Sequence, residues 1–224
     1  MNMEPLLWRA AMWAGLISLD ITGFGPWMVS QPMVAGPVFG WLMGQVRVGV
    51  VIGGFVQLLW MDVTPVGVGI PFDTTAVTVL AVYWASLQAA CPISRMVLTL
   101  LLAVPFGYLF CAMDSYARRL NTLAVRRLES VPDAYLSRAL DLGIAAGLAW
   151  SWVRYALFYA GVMASGEKLL TWEQRVLLPE WVNQGLILAA CLFPIAGLGV
   201  ALELFLTDEP ERRIASLRMF KSRG

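Results

Sequence analysis

Histidine is absent from all 224 residues. That excludes histidine general acid–base catalysis, histidine metal ligation and a phosphohistidine on this chain. Cysteine is scarce. Cys91, Cys111 and Cys191 form no CxxC pair and each sits in an apolar run, which reads as three free, buried thiols rather than a metal site or a disulfide framework. Charge is scarce as well, at 14% against about 25% in a soluble domain. Between Arg9 and Asp114 only six charged residues occur, namely Asp20, Arg47, Asp62, Asp73, Arg95 and Asp114 itself. A net charge of +1 argues against a nucleic-acid partner. No nucleophile stands beside a recognisable base, so no catalytic residue is assigned, and no metal or cofactor is expected. The start, Met1 to Trp8, carries Glu4 instead of a basic leader, so no cleavable signal is expected.

What is present is apolar. Hydrophobic residues make up 59% of the chain, with ten Trp, and mean hydropathy is +0.69. The fold class expected is an all-α polytopic membrane protein with about six to seven hydrophobic segments, those of the N-terminal half broken or re-entrant. Pro5 to Val29 is interrupted by Asp20 and by Gly23-Phe24-Gly25-Pro26, which predicts a helix to Leu19 followed by a bent piece. Pro32 to Trp60 is a second long run, with a polar interruption at Gln45-Val46-Arg47. Gly36, Gly40 and Gly44 recur every four residues, which places them on one helical face suited to close helix contact, within the chain or between chains. Pro65, Gly67, Gly69 and Pro71 leave no regular helix between Asp62 and Phe72. Further spans are expected at 74–90, 96–113, 140–163 and 181–205.

Four regions follow. Residues 1–114 form a broken-helix, substrate-binding membrane region. Residues 115–138, with Arg118, Arg119, Arg126, Arg127 and Arg138, form a water-facing amphipathic connection. Residues 139–206 form a two-helix membrane hairpin, and 207–224 a basic tail. The arginine-rich connection and the tail belong on the cytoplasmic side, and the polar loop 164–180 on the other.

Polar side chains at the breaks are the candidate site: Asp20, Gln31, Gln57, Asp73 and Thr74. Broken backbone at membrane depth needs cover from protein or a wet cavity, and intramembrane polar groups mark transport paths. Each has a structural alternative. Asp73 either caps the helix starting at Thr74 or also contacts a ligand. Gln57 either bonds a neighbouring helix or meets a ligand hydroxyl. Gln31, held extended before Pro32, serves the break or the ligand. Asp20 faces a ligand, a partner subunit or the interface. Trp60 reads as an interfacial anchor. Arg154 and Glu203, inside the last two spans, read as an ion pair with each other or with a partner subunit. The Arg118–Arg127 cluster sets topology or docks a soluble subunit.

One set of motifs carries a resemblance. Ser30-Gln31-Pro32-Met33-Val34-Ala35-Gly36-Pro37 resembles the SQPLVAG signature of the C-subunit of mannose/fructose/sorbose-type phosphotransferase permeases. Gly44-Gln45-Val46-Arg47-Val48-Gly49 is similar to that family's G-D-x-x-T-G turn, Val51 through Trp60 to its following helix, and Val66-Gly67 through Pro71-Phe72-Asp73 to its G…P-P-D segment. The ordered match covers residues 14–90. Gln45 stands where Asp is usual, Val48 where Thr is usual, and Phe72 replaces a Pro. The C-terminal half is shorter than in typical members.

The resemblance implies a multi-pass subunit of the bacterial cytoplasmic (inner) membrane, its C-terminus cytoplasmic. Such a subunit binds and carries a hexose-like sugar beside a homologous D-subunit in the lipid bilayer. Soluble A and B phosphocarrier subunits supply the phosphoryl group from their own histidines. The alternatives are a non-transporting scaffold derived from such a permease, suggested by the departures, and an intramembrane hydrolase, which lacks a motif here.

Overall fold

The computed structural model describes residues 3–20, 27–61, 72–88, 91–128, 133–175 and 179–206, with backbone alone for 3, 120–128, 133–139, 169–175 and 204–206. The described residues form seven helices and no strands: α1 (Met3–Ser18), α2 (Pro32–Leu42), α3 (Val46–Leu59), α4 (Thr74–Ser86), α5 (Ile93–Leu128), α6 (Asp133–Arg175) and α7 (Glu180–Leu206). This is the all-α architecture expected of the chain, broken in its N-terminal half.

The break at Gln45 is a hairpin. Gly44 takes φ +73°, a left-handed conformation that costs glycine little, and Gln45 N–H donates to Gly40 O at 2.7 Å. The two helices return antiparallel. α2 has 11 residues and α3 has 14, lengths of about 16 and 21 Å. Neither crosses a hydrocarbon core of about 30 Å, so the pair enters and leaves on one side.

Glycine is what lets the hairpin close. A Cβ on Gly36 would strike Gly49 O and the Gly53 backbone, one on Gly49 would strike Gly36 O, and one on Gly53 would strike Pro32 O. In glycine an α-hydrogen points there instead, giving Cα–H···O contacts along the seam. The glycine ladder is therefore an internal contact. Gly36 and Gly40 belong to it, but Gly44 forms the turn, and Gly49 and Gly53 of α3 complete the ladder.

α4 is the central helix. Thr75 through Ala85 are all buried, covered by α1, α2, α3, α5 and α6. Around it α1 lays small residues (Ala10, Ala11, Ala14) inward. Gly15 lies against Trp152 and the Ala156 backbone of α6. α7 closes on the hairpin, with Phe55 and Phe193 edge to face at 5.3 Å and Gly197 against Leu58.

Among the described residues, two helices are long and apolar enough to cross a membrane on their own, Ile93–Arg119 and Glu180–Glu203, and α2, α3 and α4 are shorter apolar helices. α7 exposes Leu188, Leu192, Ile195, Leu198 and Leu202, as a lipid-facing helix does.

Two expectations change, and one gains detail. The 115–138 connection is mostly helix, because α5 runs unbroken to Leu128 and α6 starts at Asp133. Arginine, leucine and alanine are good helix formers, so polarity there marks depth in the membrane without ending the helix. For the same reason 164–175 of the expected polar loop continues α6. The cysteines are free, but Cys191 is exposed and the other two are only partly buried, since an apolar run on α7 faces outward. The Gly23–Pro26 break, Asp62, Pro65–Pro71 and the tail 207–224 lie outside the described residues.

Candidate functional site

Four helix ends meet at one level: the end of α1, the start of α2, the end of α3 and the start of α4. Hydrogen bonds set that meeting. Thr75 Oγ1, in the first turn of α4, donates to Ser30 O at 2.6 Å. Ser30 N–H and Oγ donate to Asp20 Oδ2 at 3.1 and 3.2 Å, and Trp27 N–H donates to Asp20 Oδ1 at 3.3 Å. The buried Asp20 carboxylate thus ties the end of α1 to the approach to α2, and Ser30 passes the tie to α4.

At the α2 terminus, Gln31 is extended (φ −65°, ψ 137°) and its side chain does not cap the helix. That backbone is what a following proline demands. The side chain is exposed. Val34 and Ala35 donate to Gln31 O. The remaining first-turn donor, Met33 N–H, reaches Gln57 Oε1 of α3 at 3.4 Å, a long and weak bond. Gln57 therefore serves as an inter-helix cap through its oxygen, while its amide nitrogen still carries two donors.

At the α4 terminus, Asp73 Oδ1 accepts from Ala76 N–H at 2.7 Å, an N-cap bond. Asp73 and Thr74 are both partly exposed. Phe72 precedes them, stacked on Trp60 at 5.2 Å and tilted against Tyr108 at 4.6 Å. A Cβ on Gly107 would run into the Phe72 ring. The aromatic residue that replaces a proline of the resembled motif has therefore become a wall between α3, α4 and α5. Trp60 belongs to that wall.

The five proposed positions thus gather where α1 to α4 end and begin. Asp20 is engaged three times within the chain and Gln57 once through its oxygen, Asp73 takes the first-turn N–H groups of α4, and Gln31 and Thr74 present side chains at the rim.

A second cluster was not legible as a unit in the sequence. Asp114 of α5 is buried and accepts from Tyr155 OH at 2.6 Å, Arg118 Nε at 2.8 Å and Arg154 Nη2 at 3.1 Å. One turn along α6, Tyr159 OH pairs with Ser18 Oγ of α1 at 2.6 Å. Arg154 therefore pairs with Asp114 of α5 and not with Glu203, which is exposed on α7. Asp114 looked like the polar end of a span. Only antiparallel packing of α5 and α6 makes it a partner for Arg154. A carboxylate inside an apolar run facing an arginine inside another was the available signal.

Known proteins can now be set beside this geometry. Residues 8–210 match the EII-Sor family, described as the sorbose-specific IIC component of the PTS system. One solved structure, described as "Structure of membrane protein", superposes with a TM-score of 0.64 at 17% identity, covering 92% of this chain and 80% of its own. Another is described as the cryoEM structure of the mannose transporter ManYZ in complex with microcin E492 (MceA). It superposes with a TM-score of 0.62 at 16% identity, covering 97% of this chain and 84% of its own. Identities this low show a common fold. No curated protein sequence matches the chain. The family match spans nearly the whole chain, and the breaks, the glycine hairpin and the apolar helices agree with it. The chain belongs to the EII-Sor family, the sorbose-type IIC components, and is a membrane permease subunit of the phosphotransferase system.

Proposed function

We infer that this subunit binds a hexose-like sugar among the helix ends and carries it across the bacterial cytoplasmic membrane. Gln31, Gln57, Asp73 and Thr74 make the contacts, and Asp20 holds their frame through Ser30. The observation that carries the reading is the convergence of four interrupted helices of a permease-family chain on one level, with amide donors and carboxylate oxygens at the rim. A sugar hydroxyl both donates and accepts. The Gln57 amide nitrogen offers a donor, the second Asp73 oxygen offers an acceptor, and the Trp60–Phe72 wall offers an apolar face.

No bond is made or broken by this chain in the proposed cycle. A homologous D-subunit shares the membrane, and soluble A and B subunits deliver the phosphoryl group from their own residues. Trapping the sugar as its phosphate keeps the free concentration inside low and pulls transport inward. The re-entrant hairpin is anchored on one side only and moves with its neighbours as a rigid unit during alternating access. The arginines beyond Asp114 support assigning that end of α5, and with it the C-terminus, to the cytoplasmic side.

The test is sugar uptake and binding in membranes containing this chain with its D-subunit. Gln57→Ala and Asp73→Ser should each lower uptake at least tenfold, the loss of about one hydrogen bond to a charged or amide group. Serine retains the α4 cap, so a fall with Asp73→Ser at unchanged thermal stability separates ligand contact from capping. Uptake at the original level in both variants overturns the site. No uptake by the unaltered complex would leave the scaffold reading, which the capping roles of Gln57 and Asp73 would by themselves satisfy.

A further inference from the structure

The opposite end of α4 holds a second set of polar groups for which the capping and sugar contacts described above have no use. Trp84 Nε1, Ser86 Oγ and Gln88 Nε2 are buried without a hydrogen-bond partner among the described residues, and the first and last, one turn apart, are N–H donors. Trp84 is 1% and Gln88 7% exposed. Beside them Tyr83 OH donates to Glu167 Oε1 of α6 at 2.6 Å. The preceding residue, Gly166, has no room for a side chain because the nitrogen edge of the Trp84 indole occupies that space. The other side of the indole is held edge to face by Phe106 at 5.6 Å. Gln88 follows Trp84 by one turn.

Native proteins rarely leave buried donors unmade, because each then loses its hydration without return. The indole donor faces the residue before Glu167, and the amide donor follows it by one turn of α4, so unmade donors and a carboxylate belong to one end of the α4–α6 contact and make a consistent chemical demand. An anion would meet the Glu167 carboxylate. A metal ion would find a single acidic side chain, and no group of three metal-binding residues exists among the described residues. A hydroxyl meets every group, since it accepts from the indole and amide N–H and donates to the carboxylate. Its carbon neighbours would lie against the Tyr83 and Trp84 rings.

We propose that the end of α4 remote from Asp73 carries a second binding site, for an uncharged, hydroxyl-rich ligand such as a sugar, formed by Tyr83, Trp84, Gln88 and Glu167. The proposal rests on the transport reading and extends it. α4 has 13 residues, about 20 Å, so the helix separates two polar stations, one at each end, joined by a buried apolar stem. A sugar held at the remote station waits outside the broken-helix site.

The experiment uses the chain in complex with its D-subunit and measures equilibrium binding of radiolabelled D-mannose and L-sorbose in turn. Trp84→Phe with Gln88→Met removes both donors, keeps an aromatic ring at 84 and nearly keeps the volume at 88. The expected result is loss of one class of bound sugar in the double variant, or a fall in its affinity of about tenfold or more, with the class removed by Gln57→Ala unaffected. Binding unchanged in the double variant and lost in Gln57→Ala overturns the second site alone and shows the donors to be merely enclosed or met by water. No binding of either sugar to the unaltered complex overturns both readings. If the double variant does not assemble, Gln88→Met alone is read the same way.

Discussion

The α2–α3 hairpin and the α5–α6 pair hold antiparallel helices together in an apolar solvent by opposite means. In the hairpin the contact is backbone on backbone. Gly36, Gly40, Gly49 and Gly53 let the helix axes close until α-hydrogens touch carbonyl oxygens, and no polar side chain is needed along the seam. In α5–α6 the contact is made by side chains. Phe110 packs among Tyr155, Phe158 and Tyr159, with ring centroids 4.9 to 5.5 Å away, and Asp114 gathers Arg118, Arg154 and Tyr155. Lipid offers no hydrophobic drive between helices, so packing and hydrogen bonds must supply the attraction. A short, half-depth hairpin does this with close backbones. Helices of 36 and 43 residues do it with a few strong contacts.

The contrast predicts where each region breaks. The largest effect belongs to the ion pair. Arg154→Leu leaves the buried Asp114 carboxylate with Tyr155 OH and the largely exposed Arg118 alone, and loss of about 3 kcal/mol is expected, the low end for a broken buried pair, read as a fall in thermal unfolding temperature of the purified complex. Adding Asp114→Leu should recover most of it, and a double variant no better than the single one would show that the pair is not the source. Next comes the glycine seam. Gly49→Ala forces a methyl group onto Gly36 O and should cost about 1–3 kcal/mol. Gly54→Ala, on the same helix with open space around it, should be neutral or gain up to about 1 kcal/mol. Equal effects at 49 and 54 would refute the close-approach account. Asp73→Ala should lose about 1 kcal/mol through its cap, and Asp73→Ser little. The smallest effect is expected of Arg118→Ala. Its side chain is 56% exposed, and solvent screening should hold the change within about 1 kcal/mol.

The two regions also differed in how far their sequences could be read. In residues 30–60 the chemistry is local. Pro32 sets the conformation of Gln31, Gln45-Val46-Arg47 interrupts the apolar run, and the spacing of glycines announces a close contact, so the break was legible, although Gly44, which continued the glycine spacing, makes the turn. The contact's partner was not, because Gly49 and Gly53 meet Gly36 only after the chain has turned. Asp73 as a cap was legible from its place before Thr74. Gln57 capping α2 through Met33 was not, since the two lie 24 positions apart. In residues 93–175 polarity misled. Arginines after Ser115 suggested a separate connection, whereas backbone hydrogen bonding carries the helix on past them. The partner of Arg154 is 40 positions away, and no periodicity points to it.

Composition alone determined that this chain lives in a membrane as helices, that its N-terminal spans are interrupted, and that it has no histidine to carry a phosphoryl group. Those properties follow from solvent transfer, backbone sterics and the inventory of side chains, all of which act within a few residues. Tertiary structure decided that the interrupted helices end at one level, that Asp20 serves Ser30, and that Asp114 holds Arg154. Such pairings depend on which distant segments share a buried volume, and a buried polar group is satisfied only by what packing brings within about 3 Å of it.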